Sequence, residues 1–325
     1  MPAVLEFQDI IKDYRGLFRR RTVRALDHFT LQVEEGEIFG FLGPNGAGKT
    51  TAIHLAMGFV RPSRGKGKML GQRFGKASAR RKVGFLAENV ALYHRPAETL
   101  VRFYGALNGL SGETLTRRTR EALDTVGLLH ESNRNVAKFS RGMLQRIGLA
   151  QAIVHDPDLL ILDEPTSALD PLARYAVREM LLDLRSRGKT IFLSSHLLSE
   201  VELICDRIAV LNRGRLVRTG RPSELLESSE EVEVTARGIP VASFPSAEAE
   251  ADNRIRFLIK AAEQRYTIER VWSMGGEIVS VSPRKRSLED LFLELTGGRS
   301  QDPAKMRDIP SLDVPPDTPK IVKES

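Results

Sequence analysis

The chain has 325 residues, a formal net charge of +7 and one cysteine, Cys205. Its length allows about two domains, and a single cysteine excludes an intramolecular disulfide. The sequence contains neither a signal-peptide pattern nor an apolar run of about 20 residues, the length that a membrane-spanning helix needs. We therefore expect a cytoplasmic protein, and any passage across a membrane must be made by another polypeptide.

Basic runs at residues 19–21, 64–68 and 80–82 contribute to the positive charge. They are not interleaved with aromatic residues, and no nucleic-acid-binding module accompanies them. A solvated surface is the first interpretation of these runs, and contact with an anionic membrane face is the second. We expect no specific nucleic-acid binding.

Two segments near the N-terminus, residues 5–10 and 29–33, alternate between apolar and polar side chains. This pattern predicts an antiparallel sheet at the edge of the fold. The basic insertion 15–24 follows Tyr14 and widens the predicted hairpin.

Residues 43–50 read Gly-Pro-Asn-Gly-Ala-Gly-Lys-Thr and follow the apolar run 38–42. This is the complete G-x-x-x-x-G-K-T loop, placed after a strand and before a helix as a P-loop requires. Glycines let backbone N–H groups close around phosphates, Lys49 supplies a cation toward the β- and γ-phosphates, and the Thr50 hydroxyl is placed to ligate Mg²⁺. The predicted nucleotide contacts are Gly43, Pro44, Asn45, Gly46, Ala47, Gly48, Lys49, Thr50 and Thr51. The sequence therefore predicts a protein that binds a nucleoside triphosphate with Mg²⁺.

Residues 159–164, Leu-Leu-Ile-Leu-Asp-Glu, predict a buried parallel strand that ends in two carboxylates. Asp163 is predicted to hold Mg²⁺ through its water shell, and Glu164 is predicted to act as the general base toward the attacking water. Two acids at a strand end can also simply cap the following turn. The P-loop in the same chain favours the catalytic interpretation.

A helical pattern begins at Ser140, shortly before that strand, and runs to about residue 154. Ser140 is a good N-cap residue, and Gly142 lets an anion approach the start of the helix closely. The segment can therefore form a second phosphate site.

The order of these elements resembles the nucleotide-binding subunit of an ATP-binding cassette (ABC) transporter. Residues 140–143, Ser-Arg-Gly-Met, match the family signature Leu-Ser-Gly-Gly-Gln at Ser140 and Gly142 and depart from it at Arg141 and Met143. The resemblance covers roughly residues 3–225 and implies ATP as the nucleotide. It also implies an α/β P-loop NTPase fold, with a RecA-like core, an antiparallel edge sheet and a helical subdomain at about residues 89–157. In the family the signature contacts the γ-phosphate bound to the other subunit, so we expect a head-to-tail pair and favour a homodimer.

Further residues take their roles from the same resemblance. Asp170 resembles the D-loop aspartate, which lies near the opposing P-loop. His196 resembles the switch histidine, which contacts the γ-phosphate and positions the attacking water with Glu164. Tyr14 resembles the aromatic residue that stacks on adenine, and Glu88 stands where the family normally has glutamine, as a ligand of Mg²⁺ or water.

Four apolar or aromatic residues of the helical region, Leu92, Tyr93, Phe103 and Tyr104, are candidates for the groove that receives a membrane subunit in the family. Ordinary packing of a helical core explains them equally well.

Beyond residue 222 the sequence predicts a small α+β domain at residues 223–297. It consists of predicted strands at 231–235 and 276–281, a predicted helix at 255–264 and a closing helix at 287–297. The closing helix resembles the C-terminal extension of the ABC-2 exporter branch, which favours export over uptake. Residues 298–325 are rich in Pro, Asp, Lys and Ser and predict a disordered tail.

The sequence thus predicts an ATP-hydrolysing motor subunit of an ABC-type exporter. It would lie on the inner face of the cell membrane, bound to a polytopic permease. The main alternative is a soluble ABC-type ATPase that acts on ribosomes or nucleic acid. A single P-loop argues against the translation type, which has two cassettes in one chain, and the compact spacing excludes the chromosome-maintenance type with its long coiled coils. A regulatory module that binds ATP without hydrolysing it is a further alternative, which Glu164 and His196 argue against.

Overall fold

Three β-sheets organise the protein in a computed structural model that describes residues 2–15, 22–89, 94–167, 169–226, 231–244, 247–283 and 287–296. The strands are β1 (Ala3–Arg15), β2 (Thr22–Glu34), β3 (Ile38–Leu42), β4 (Arg64–Met69), β5 (Gln72–Arg73), β6 (Val83–Leu86), β7 (Leu159–Asp163), β8 (Thr190–Ser195), β9 (Arg207–Asn212), β10 (Arg215–Gly220), β11 (Glu231–Arg237), β12 (Glu248–Glu250), β13 (Arg254–Lys260) and β14 (Glu277–Pro283). The helices are α1 (Lys49–Met57), α2 (Ala77–Arg80), α3 (Ala97–Leu107), α4 (Gly112–Thr125), α5 (Arg141–Ile153), α6 (Pro171–Ser186), α7 (Leu198–Ile204), α8 (Pro222–Leu225), α9 (Gln264–Ser273) and α10 (Leu288–Thr296).

The central sheet has the strand order β10-β9-β3-β8-β7-β6. Strands β9, β3, β8, β7 and β6 are parallel, and β10 is an antiparallel edge strand. Every residue of β3 and β7 is buried, as expected for strands covered on both faces. Because parallel strands end at the same edge of a sheet, the segments after β3, β7 and β8 meet there. The predicted P-loop NTPase core is confirmed.

The predicted antiparallel edge sheet is also confirmed, with the order β2-β1-β4-β5. Its buried Phe29 packs on Phe41 of β3 at 5.7 Å between ring centroids, and Phe41 in turn lies 5.3 Å from Phe192 of β8. This packing fixes the β1–β2 hairpin beside the segment that follows β3. Residues 16–21 of the hairpin lie outside the described part of the chain.

Helices α3, α4 and α5 lie within residues 89–157, where a helical subdomain is predicted. Their apolar faces join the larger core through buried residues such as Leu100, Leu123 and Ile147. Phe103 is exposed, whereas Tyr104 packs partly buried against this core. Leu92 and Tyr93 lie outside the described residues, so the proposed groove stays a prediction.

The third sheet, β12-β13-β11-β14, is antiparallel and packs with α9. The predicted helix at 255–264 is wrong, because residues 254–260 form β13 and α9 begins only at Gln264. Ile255 and Phe257 are buried on one face while Arg256 between them is exposed, which is the period-two pattern of a strand. Pairing with β11 completes this strand, and the Phe257 ring stacks on Phe244 at 4.2 Å between centroids.

The closing helix α10 packs against α7 and β9 of the nucleotide-binding region. Leu288 and Leu291 are buried in the same core as Leu198 and Val201. The Asn212 side-chain amide donates a hydrogen bond of 3.3 Å to the backbone carbonyl of Leu295 near the end of the helix. The boundary near residue 222 remains a prediction, and α10 crosses it to contact the larger core. The predicted tail, residues 298–325, lies outside the described part of the chain.

Leu288→Ala is expected to lower the free energy of unfolding by about 2–5 kcal/mol, because Leu288 is only 1% exposed and its loss leaves a cavity between α10 and α7. Leu293 on the same helix is 48% exposed and provides the matched control Leu293→Ala. Chemical denaturation of both variants measures the difference. Equal small losses would contradict the burial of α10 in the core.

Candidate functional site

The loop between β3 and α1 encloses one side of a cleft of about 340 Å³. The cleft is lined by Val23, Arg24, Ala25, Pro44, Asn45, Gly46, Ala47, Gly48, Lys49, Thr50, Thr51, Glu88, Asp163 and Glu164. Gly48 has a φ of +110°, and a Cβ there would lie 2.4 Å from the carbonyl oxygen of Ala25. Only glycine fits this backbone, which begins α1 with its free N–H groups toward the cleft. Gly43 lies in the same loop, as predicted.

Lys49 is held inside this loop. Its side chain is 8% exposed, and Nζ donates hydrogen bonds to the carbonyl oxygens of Gly43 at 2.6 Å and Pro44 at 3.5 Å. Burial lowers the pKa of Lys49, while the nearby carboxylates of Glu164, Asp163 and Glu88 act in the opposite direction. The result is a pre-positioned amine at the floor of the cleft, with charged neighbours that favour its cationic form.

Asp163 ends β7 opposite the start of α1. Its Oδ2 accepts a hydrogen bond from the Thr50 hydroxyl at 3.2 Å, and its Oδ1 accepts one from the Ser194 hydroxyl at 2.5 Å. Asp163 is 3% exposed, and the two hydroxyl groups fix the position of its carboxylate.

The Thr50–Asp163 pair fits Mg²⁺, which prefers hard oxygen ligands and is usually bound by one or two protein groups together with substrate phosphates. Among the described residues, no group of three or more His, Cys, Asp or Glu side chains could hold a metal ion without such help. The donor set therefore suits a metal that arrives with a nucleotide.

Glu164 follows Asp163 directly and is 7% exposed. Its Oε2 lies 2.7 Å from His196 Nδ1, and the backbone N–H of His196 donates to the same oxygen at 3.4 Å. Burial raises the pKa of Glu164, and the hydrogen bonds and charge of His196 together with the charge of Lys49 oppose that rise. A carboxylate with a raised pKa and an orienting imidazole can accept a proton from water.

The backbone of Glu164 has a left-handed φ of +53°, which is uncommon outside glycine. Its N–H donates to the carbonyl oxygen and to the hydroxyl of Ser194, both at 3.2 Å. These contacts hold the strained turn that directs the side chain toward His196.

Other predicted site residues lie at different places around this edge. Glu88 is exposed and lines the P-loop cleft, whereas Ser140 and Asp170 lie on the surface away from it. Ser140 is the N-cap of α5 and accepts a hydrogen bond from the Met143 N–H at 3.3 Å. Asp170 is the N-cap of α6 and accepts a hydrogen bond from the Ala173 N–H at 2.8 Å.

Gly142 lies in the first turn of α5, so the start of this helix is open to a ligand from outside the chain.

Tyr14 does not line the P-loop cleft. It lies on β1 opposite Val23 and lines an adjoining cleft of about 720 Å³, which shares Arg24 with the first. Tyr14 is 39% exposed, and Lys12 Nζ lies 4.8 Å from the centroid of its ring. A stacking role for Tyr14 stays a prediction.

Sequence reasoning missed several residues that shape the site. Ser194 links Asp163 to Glu164, and its only signal in the sequence was a hydroxyl at the carboxyl end of a buried strand. The side-chain amide of Gln145 donates a hydrogen bond to the backbone carbonyl of Glu164. In the sequence, the one indication of this role was a polar amide on the buried face of α5. Arg24 lines the P-loop cleft while bonded to Asp13 and Asp27, a position that no motif indicates.

Comparison with known proteins identifies the family. The ABC transporter family model matches residues 26–167. A protein of Nostoc sp. named an uncharacterized ABC transporter ATP-binding protein is 41% identical over 301 residues, which cover 90% of this chain and 89% of the relative. The chain belongs to the ABC transporter ATP-binding proteins.

Other relatives and a solved structure agree with this assignment to the ABC family. The bacitracin transport ATP-binding protein of Bacillus licheniformis is 32% identical, with 92% of this chain and 99% of the relative covered. The Nod factor export ATP-binding protein I of Cupriavidus pinatubonensis is 35% identical, with 93% of each chain covered. A solved ATP-binding subunit of an ABC transporter matches with a TM-score of 0.62 and 32% identity, covering 68% of this chain and 91% of that chain. Within the described residues, no helix has both the length and the apolar character to cross a membrane.

Proposed function

We propose that this chain is the ATP-hydrolysing motor subunit of an ABC-type exporter. The observation that carries the proposal is the meeting of Lys49, Asp163 and Glu164 at one edge of the sheet, with Glu164 bonded to His196 at 2.7 Å. Bound phosphates, a divalent cation and an activated water need this set of groups together.

Each residue has a defined task in hydrolysis. Lys49 and the N–H groups of the P-loop bind the β- and γ-phosphates of ATP. Thr50 and Asp163, with Glu88 nearby, would hold Mg²⁺, which supplies positive charge to phosphoryl oxygens when bound.

Glu164 accepts the proton of the attacking water, and His196 keeps the carboxylate and the water in line with the γ-phosphate.

The pH dependence of turnover tests the pairing of Glu164 with His196. Catalysis needs the carboxylate form of Glu164. Burial raises the pKa of this carboxyl group, and His196 opposes part of that rise. His196→Ala removes that opposition, so the pKa of Glu164 rises further and a larger fraction is protonated at a given pH. We expect the acid limb of the kcat profile to move to higher pH.

The control for this pH profile is His130→Ala, since His130 is an exposed histidine away from the cleft. Steady-state ATPase assays from about pH 5 to pH 9 cover the ordinary carboxyl range and above it. If the pH profile of His196→Ala coincides with that of the native protein, His196 does not have the proposed role beside Glu164.

A head-to-tail homodimer completes the proposed site. Ser140 and Gly142 at the exposed start of α5 are free to bind the γ-phosphate of ATP held by a second copy. Asp170 at the start of α6 would lie near the opposing P-loop. Negative charge from ATP then joins the two surfaces, and hydrolysis removes the bridging phosphate.

Gly142→Asp tests the dimer in a Glu164→Gln background, where ATP persists. The added carboxylate repels the phosphate of the opposing subunit, so we expect loss of the ATP-dependent dimer with ATP binding per chain retained. Gly112→Asp is the matched control, because a side chain there meets nothing within 4 Å and its φ of +55° is one that Asp tolerates. Size-exclusion chromatography with light scattering measures the mass. A dimer that survives Gly142→Asp would place the second phosphate site elsewhere.

The exporter assignment rests on the similarity to the bacitracin transport and Nod factor export proteins and on the closing helix α10. In this assignment the chain binds a polytopic permease and lies at the inner face of the cell membrane through it. Substrate choice would then belong to the permease.

Affinity purification of tagged Glu164→Gln protein from gently solubilised cells with Mg-ATP tests this assignment. An equimolar polytopic membrane protein is the expected partner. Recovery of ribosomes or nucleic acid without any membrane protein would overturn the exporter assignment and favour the soluble alternative.

A further inference from the structure

Gln145 is a buried polar residue of α5 that contacts the segment carrying the candidate base. It is 4% exposed, and its Nε2 donates hydrogen bonds to the carbonyl oxygens of Glu164 at 3.2 Å and Pro165 at 3.3 Å. Both amide hydrogens therefore bind consecutive carbonyl groups of one turn. A buried amide whose nitrogen makes two such bonds fixes the position of the backbone that it holds.

The turn at Glu164 depends on contacts from two sides. Ser194 on β8 accepts the Glu164 N–H, and Gln145 on α5 supplies donors to the carbonyls. The φ of Glu164 is +53°, a conformation that persists only where surrounding contacts enforce it. Pro165 has no N–H, and within the turn the Ser167 N–H and hydroxyl donate to the Glu164 carbonyl at 3.4 Å and 3.2 Å. Gln145 adds the contact from α5, which also reaches the Pro165 carbonyl. Loss of the Gln145 contact would let the turn relax and move the Glu164 carboxylate.

The same helix also carries the signature segment. Ser140 is the N-cap of α5, and Gln145 lies in the second turn of this helix. The two positions are separated by about 7.5 Å along the helix axis. Because so short a stretch of α-helix moves as a rigid unit, a displacement of its start is transmitted to the Gln145 amide.

We propose that Gln145 is a positioning residue that couples the two ATP sites of the dimer, an inference that rests on the head-to-tail arrangement proposed above. The start of α5 in one subunit binds the phosphate of ATP held by its partner. Gln145 of that same α5 holds Glu164, which acts on the ATP bound to its own P-loop. Engagement at one ATP thus places the carboxylate at the other.

Gln145→Met tests this role because methionine is close to glutamine in shape and lacks the N–H donors. We expect kcat to fall by about 10- to 100-fold, the size of effect that a misplacement of about 1 Å can cause. The Kd for ATP should stay within about twofold of native, since no P-loop contact changes. The Hill coefficient for ATP should fall to about 1, because the link between sites is lost.

Gln151→Met provides a matched control on the same helix. The Gln151 Nε2 is buried and has no hydrogen-bond partner among the described residues. This variant undergoes the same chemical change without loss of a bond to Glu164. We expect native kcat and a native Hill coefficient for it.

A double variant distinguishes a role of Gln145 in positioning Glu164 from a general loss of structure. In the Glu164→Gln background, adding Gln145→Met should change the residual turnover by less than about twofold, since the group that Gln145 positions is already removed. A further 10-fold loss would overturn the inference, and so would native kcat with a native Hill coefficient in the Gln145→Met single variant.

If Gln145→Met does not fold, Gln145→Glu supplies the test. Its carboxylate repels the two carbonyl oxygens, whereas its protonated form donates one hydrogen bond. The ratio of its kcat to the native kcat should therefore rise as pH falls from about 8 to about 6, and a constant ratio would overturn the inference. Absence of turnover in the native protein would instead overturn the proposed function, so the two failures are distinguishable.

Discussion

Glu164→Gln is expected to retain ATP binding and to lose about 10²- to 10⁴-fold in kcat, the range that a general base contributes. The amide has nearly the same shape, but it cannot accept a proton from the attacking water. The hydrogen bonds that hold Lys49 in the P-loop do not involve this side chain, so the Kd for ATP should stay close to native. Steady-state phosphate release at saturating ATP and nucleotide titration measure the two quantities separately.

The control for Glu164→Gln is Glu202→Gln, which makes the same change at an exposed position on α7. It should leave both kcat and Kd unaltered. Near-normal turnover in Glu164→Gln would mean that another group accepts the proton, and the role of the Glu164–His196 pair would have to be abandoned.

Unlike Glu164→Gln, the variant Lys49→Met is expected to weaken ATP binding itself. Nζ is held at 2.6 Å from the Gly43 carbonyl at the floor of the cleft, and Lys49 is the one lysine among the described residues that line it. Loss of a charge-assisted contact to phosphate in this buried place costs about 3 kcal/mol, which is about 100-fold in Kd. Isothermal titration with a non-hydrolysable ATP analogue measures this loss.

Lys66→Met tests whether overall charge alone explains such a result. Lys66 is exposed on β4 and its replacement removes the same positive charge from the chain. We expect native affinity for this control. An affinity of Lys49→Met within about threefold of native would show that the phosphates do not lie beside Lys49.

The P-loop and the acidic strand were predictable because each motif contains its own backbone geometry. A glycine pattern between an apolar run and a helix allows few structures, and two acids after a buried strand must lie at the carboxyl edge of the sheet. The contacts of Ser194 and Gln145 were not predictable, since each joins segments that are distant in sequence.

The error at residues 254–260 has a different physical origin. Ile255, Phe257 and Ile259 alternate as in a strand, but Leu258 adds an apolar side chain that also suits a helix. Short apolar runs carry this ambiguity. Pairing with β11 decides the outcome, and that information is absent from the local sequence. The spacing in α10 likewise predicted a helix without indicating that it would pack on α7.

Because α10 packs on α7 and β9, the core of the nucleotide-binding region cannot be completed before α10 has been synthesised. During translation, segments usually fold as units in the order in which they leave the ribosome. Here α7 and β9 emerge before the β11–β14 sheet, but Leu288 and Leu291, which cover them, emerge only after the whole of it. The apolar surface beneath α10 therefore stays open to chaperones until that sheet and α10 have been made, and the nascent ATPase completes this core only then.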